Sequence, residues 1–153
     1  MPPVTAQANP NIALIKYWGN RDNDIRLPAN GSVSMTLDGL ETCTTVDFNE
    51  ILKSDEVVIN GCKAGSAAGA RVTKMLEEIR SLAGIHQYAH VESDNNFPIS
   101  AGIASSASAF AALALAGTTA AGLSLDIGSL SRLARHSSGS CLPSRQFWMG
   151  SPP

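Results

Sequence analysis

The segment Pro98-Ile99-Ser100-Ala101-Gly102-Ile103-Ala104-Ser105-Ser106-Ala107-Ser108 sets a glycine and small residues directly ahead of an alanine-rich run. If that run is a helix, its first backbone N–H groups lack intrahelical partners and carry about half a positive charge. Without bulky side chains in the way, an anion can reach those donors, and serine hydroxyls can add hydrogen bonds. In physical terms this is a phosphate cradle, although a serine-capped helix after a turn needs the same residues. No Gly-Lys-Ser/Thr follows, so it is not a Walker A loop, and no GxGxxG fingerprint is present. A second segment, Asn9-Pro10-Asn11-Ile12-Ala13-Leu14-Ile15-Lys16-Tyr17-Trp18-Gly19, places one lysine inside an apolar run. Lys16 either snorkels to solvent or reaches a buried anion.

The elements that position these segments follow from pattern. Val4 to Ala8, Asn11 to Trp18, Ser32 to Leu37, Thr42 to Phe48, Glu56 to Ile59 and Tyr88 to Ser93 read as strands. Asp38-Gly39 and Asn60-Gly61 supply turns, the second suited to a hairpin with positive φ angles, while Gly19 to Asp24 reads as a break. Val72, Met75, Leu76, Ile79, Leu82 and Ala83 recur at helical spacing, with Gly84 as a stop. A second helix is predicted from Ser105 or Ser106 to near Gly122. A third is capped by Asp126, with Ile127, Leu130, Leu133 and Ala134 on its apolar side. Strands early and helices later predict an α+β domain with helices on one sheet face. Leu142 to Pro153 shows no period and reads as a divergent tail.

Composition excludes several classes. The 153 residues suit one domain with a real core, and a net charge of -2 leaves no footprint for nucleic acid. Ala104 to Leu123 is uncharged, but its serines, threonines, glycines and alanines suit a buried helix rather than a membrane span. Cys43, Cys62 and Cys141 form no CxxC pair, so neither a zinc site nor a disulfide framework is indicated, and a reducing cytoplasm is expected. The N-terminus lacks the basic and apolar regions of a signal peptide. His86, His90 and His136 fall in none of the candidate segments and receive no catalytic role.

Taken together, these blocks resemble a family. Asn11-Ile12-Ala13-Leu14-Ile15-Lys16-Tyr17-Trp18-Gly19 with Arg21-Asp22 is similar to the N-terminal block of mevalonate diphosphate decarboxylases. Leu27 to Leu37 resembles the next block, and Asn95-Asn96-Phe97-Pro98 leading into Ala101 to Ala107 resembles the ATP-phosphate loop. Ser131 to Arg135 with Ser138-Gly139-Ser140 resembles a fourth. The phosphate loop alone points to the wider GHMP kinase superfamily; the Lys-Tyr-Trp-Gly block selects the decarboxylase branch. The resemblance implies a GHMP-type N-terminal domain over 1–141, a fold shared with a ribosomal-protein domain. It also implies ATP and Mg²⁺ as cofactors, a phosphorylated mevalonate as substrate, a cytoplasmic location and, for full-length relatives, a homodimer. In that reaction ATP phosphorylates the tertiary 3-hydroxyl of 5-diphosphomevalonate, and phosphate loss drives decarboxylation to isopentenyl diphosphate. The resemblance assigns Ala101, Gly102, Ile103, Ala104, Ser105 and Ser106 to the ATP phosphates and Lys16 to catalysis. Tyr17, Arg71, Ser138 and Ser140 are assigned to the substrate.

Three departures accompany the resemblance. Asn20 stands where diphosphate-specific relatives carry lysine, which would suit the less charged mevalonate 5-phosphate and a product of isopentenyl phosphate. Ser140-Cys141-Leu142-Pro143 replaces the family's Ala-Cys-Arg-Ser continuation, so its arginine has no counterpart at that spacing, and Arg145 is not given the role. Relatives run to roughly twice this length, with the catalytic aspartate and the C-terminal GHMP domain in the part not seen here. This chain is therefore expected to be an inactive, truncated form. The competing readings are a small-molecule kinase without decarboxylation and a non-catalytic anion-binding fragment.

Overall fold

A computed structural model describes residues 2–15, 19–22, 27–29, 31, 33–98, 105–138 and 147–148. In chain order the strands are β1 (Val4–Ala8), β2 (Asn11–Ile15), β3 (Asn20–Asp22), β4 (Leu27–Pro28), β5 (Val33–Thr36), β6 (Thr42–Asn49), β7 (Glu56–Ile59) and β8 (Cys62–Lys63). Helix α1 (Ser66–Ala83), β9 (Tyr88–Asn95), α2 (Ser105–Ala120), α3 (Ile127–Ser137) and β10 (Phe147–Trp148) follow. The α+β class is the one observed.

Six strands form the main sheet in the order β10-β1-β6-β9-β7-β8. β6 is central, antiparallel to β1 and β9, while β7 joins β9 in parallel, as a helix-bearing crossover through α1 permits. Alternation separates the faces: Val46, Phe48, Ala89 and Val91 are buried under the helices. Cys43, Glu92 and Asp94 lie exposed on the other side. Such a one-sided sheet needs helices on a single face.

α2 supplies the centre of that layer. Twelve of its sixteen residues are buried, half of them alanine. Small side chains allow close approach: a Cβ added at Gly117 would lie 2.8 Å from Ile79 Cδ1 of α1. α1 buries Val72, Met75, Leu76 and Ile79 and ends at Gly84, whose φ of 66° is the left-handed stop. Asp126 caps α3, accepting from the Ser129 N–H at 3.1 Å.

Four differences from the sequence reading have physical causes. α1 begins at Ser66 rather than near Val72; its first turns hold Ala67, Ala68 and Ala70, strong helix formers that carry no large apolar marker. Asn20–Asp22, read as a break, pairs with Leu27–Pro28 as a short ladder. Phe147–Trp148, in the segment read as aperiodic tail, adds a strand to the free edge of β1, with Gln7 opposite Trp148. β2 and β5 stand apart as a two-stranded ribbon. Its register shifts between Ala13 and Ile15, so Ile15 meets Val33 on the side where Ile12 meets Met35.

Candidate functional site

The site begins with a change of character along the helix-facing side of the sheet. At one end the cross-strand pairs are apolar, Phe48 with Ala89 and Val46 with Val91. At the other they turn polar, Thr44 with Ser93 and Thr42 with Asn95. These buried groups are satisfied by one another: Thr44 Oγ1 lies 2.9 Å from Ser93 Oγ, and the Thr42 hydroxyl donates to Asn95 Oδ1 at 2.6 Å. The first turn of α2 sits against this polar end, because Ser108 Oγ lies 2.7 Å from Thr42 Oγ1.

Two further elements converge there. α3 closes at Ser138, whose backbone N–H bonds to the Ala134 carbonyl and whose hydroxyl lies 3.1 Å from Ser106 Oγ. Ser138 is buried. From α1, the Arg71 guanidinium lies 4.7 Å from the centre of the Phe110 ring and donates to the Ser137 carbonyl. One carbonyl uses little of a five-donor group, so Arg71 retains capacity for an anion. No acidic residue occupies the first turn of α2, leaving its N-terminal partial charge unopposed from within the helix.

Beside these groups lies a cavity of about 200 Å³ between the sheet, α1 and α2. Val57, Ile59, Val72, Phe110 and Leu113 form its apolar wall, while Ser105, Ser106, Asn95 and Arg71 also line it. Such a space accepts a flat apolar body with a polar or anionic group at its margin.

Of the residues singled out from sequence, Ser105, Ser106, Ser138 and Arg71 come together here. Lys16, Tyr17, Ala101, Gly102, Ile103, Ala104 and Ser140 lie outside the described residues. His90 faces Glu56 at 3.4 Å and His136 faces Glu78 at 3.1 Å; neither lines the cavity. Cys43 has its thiol pKa raised by desolvation first and then by the charges of Glu41 and Asp94, which lowers its thiolate fraction. Among the described residues no group of three or more His, Cys, Asp or Glu gathers to hold a metal. Sequence reading did not single out Thr42, Phe110 or the cavity wall. The available signal was polar residues at inward positions of a strand, Thr42 and Thr44, where a core strand ordinarily carries apolar ones.

The diphosphomevalonate decarboxylase-like N-terminal domain model matches residues 8–146. The chain belongs to that family. The match runs five residues past the 141 boundary expected from the motifs. Diphosphomevalonate decarboxylase of Candida albicans is 42% identical over 150 residues, covering 90% of this chain and 41% of that protein. The mevalonate diphosphate decarboxylase structure from Staphylococcus aureus superposes with a TM-score of 0.85 at 46% identity, covering 91% of this chain and 42% of that one. A structure described as MDDEF in complex with MVAPP, AMPPCP and magnesium gives 0.84 at 45%, with coverages of 91% and 42%. Curated relatives include phosphomevalonate decarboxylase of Haloferax volcanii as well as the diphosphomevalonate enzymes. This family member thus spans about two-fifths of the length of the relatives it matches. Among its described residues no helix is long and apolar enough to cross a membrane.

Proposed function

We propose that this chain forms the nucleotide-binding and part of the substrate-binding portion of an ATP-dependent decarboxylase that converts 5-diphosphomevalonate to isopentenyl diphosphate. The observation that carries the reading is the contact of Ser106 with Ser138 beside an apolar cavity, in the first turn of α2, which holds no acidic residue. The donor set suits a nucleotide: hydroxyls and helix N–H groups for phosphate, and an aliphatic and aromatic wall for the base. Mg²⁺ would arrive coordinated to the phosphates. When bound, ATP supplies the phosphoryl group that turns the tertiary hydroxyl into a leaving group.

In this reading Ser105 and Ser106, with Ala101, Gly102, Ile103 and Ala104, hold the ATP phosphates against the α2 N-terminus. Ser138, Ser140, Tyr17 and Arg71 orient the phosphorylated mevalonate, and Lys16 stabilises charge on the transferring group. We assign the complete reaction, a cytoplasmic location and a homodimer to the whole protein, with the present domain over 1–141 and the segment 142–153 divergent. The chain by itself is expected to bind without turnover. Calorimetric titration with Mg²⁺ and ATP, beside an assay of CO₂ release from carboxyl-labelled substrate, tests this. Saturable heat with no CO₂ supports the reading, absence of binding overturns it, and turnover overturns the expected inactivity.

Asn20 favours a second reading, mevalonate 5-phosphate as substrate with isopentenyl phosphate as product. A neutral amide in place of a lysine removes one cation from the anion's surroundings. Asn20→Lys in the complete protein is then expected to raise the kcat/KM ratio for diphosphate over monophosphate. An unchanged ratio contradicts that reading.

A further inference from the structure

The hydroxyl pair under α2 follows a fixed proton order. Thr42 gives its only hydroxyl proton to Asn95 Oδ1, so the proton between Thr42 and Ser108 belongs to Ser108. Ser108 shares that proton with the Ser105 carbonyl at 3.0 Å, within its own helical turn. Thr42 and Ser108 are both fully buried, so water does not compete for either bond. The chain Ser108 to Thr42 to Asn95 therefore joins the first turn of α2 to two strands of the sheet. It also sets the Asn95 amide, because an oxygen committed to Thr42 leaves the NH₂ as the group Asn95 can present elsewhere. Asn95 and Ser105 both line the cavity beside Ser106.

We propose that Thr42 and Ser108 are positioning residues for the nucleotide phosphates: their hydroxyl relay fixes the first turn of α2 and the donor face of Asn95 against the cavity. The inference rests on the ATP reading and adds to it two residues that touch no ligand themselves. A relay of this kind preorganises donors before the ligand arrives, so its loss shows in phosphate affinity more than in base affinity.

The test is calorimetric titration of the full chain with Mg²⁺ and ATP, and separately with adenosine, which shares the base and sugar but carries no phosphate. Thr42→Val and Ser108→Ala are expected to weaken ATP about five- to tenfold while adenosine affinity stays within about twofold. Thr42→Ser, which keeps the hydroxyl, is expected to retain wild-type ATP affinity, and it serves as the informative variant should Thr42→Val fail to fold. Equal weakening of ATP and adenosine assigns the two residues to packing and overturns the proposal. So does unchanged ATP affinity in Thr42→Val and Ser108→Ala, or a Thr42→Ser variant as weak as Thr42→Val. If the wild-type chain itself binds no ATP, the nucleotide reading falls and takes the relay with it. Wild-type binding with indifferent variants removes the relay alone.

Discussion

Asp55 accepts both guanidinium nitrogens of Arg80, at 2.9 and 3.2 Å, and the Ala89 N–H at 2.9 Å. Its side chain is 2% exposed, so Asp55→Ala leaves a half-buried cation and a backbone donor unmatched. A loss of about 3 kcal/mol in urea unfolding is expected, without change in ATP affinity, since the pair lies away from the cavity. Asp126 acts at the opposite extreme of exposure. Its carboxyl is held below the ordinary 3.8 by the Ser129 hydroxyl first and the Ser129 N–H next. A folded-state pKa below the unfolded one adds stability that is complete above 3.8 and fades as the pH falls through the lower folded value. Asp126→Asn, which keeps a capping oxygen but cannot titrate, should flatten the dependence of Tm on pH in that acid window. At this scale Ser105, Ser106 and Ser138 were assigned to the site through the family resemblance, because a serine-capped helix after a turn needs the same small residues. Thr42, Asn95 and Phe110 were not, since their importance depends on which strands and helices meet.

The three helices and the Asn60-Gly61 hairpin could be read from spacing and punctuation, and Asn60 does adopt a positive φ of 48°. The start of α1 and the strand β10 could not. Alanines give no periodic mark, and a two-residue strand exists only because β1 offers an edge. The register of β6 against β9 was equally hidden, yet it places the hydroxyls beneath α2. The fit between α1 and α2 yields a prediction at this scale. Gly117→Ala gains helix propensity but drives a methyl into fully buried Ile79, for a net loss of about 1 kcal/mol. Ile79→Val removes the opposing Cδ1, so the double variant should lose less than the two single losses added together. Thermal unfolding of the four proteins in a mutant cycle measures that coupling.

Across the whole molecule, polar and apolar surfaces are distributed unevenly. The helix-free side of the sheet is polar, whereas the β2–β5 ribbon leaves Ile12, Leu14, Ile15, Val33 and Met35 between 39% and 65% exposed. Apolar surface gathered in this way promotes association. Ile15→Lys with Met35→Lys is expected to lower light scattering at high protein concentration with little change in Tm, because neither side chain belongs to the main core. The central claim concerns the nucleotide site, and amide chemical shifts of the isotopically labelled chain during titration with Mg²⁺ and ATP address it most directly. The account predicts saturable shifts at Ser105, Ser106, Asn95, Ile59 and Ser138, with no shifts in a second groove, between α1 and α3, that Glu78, Arg132 and His136 line. Shifts confined to that groove, or none at millimolar nucleotide, would contradict it.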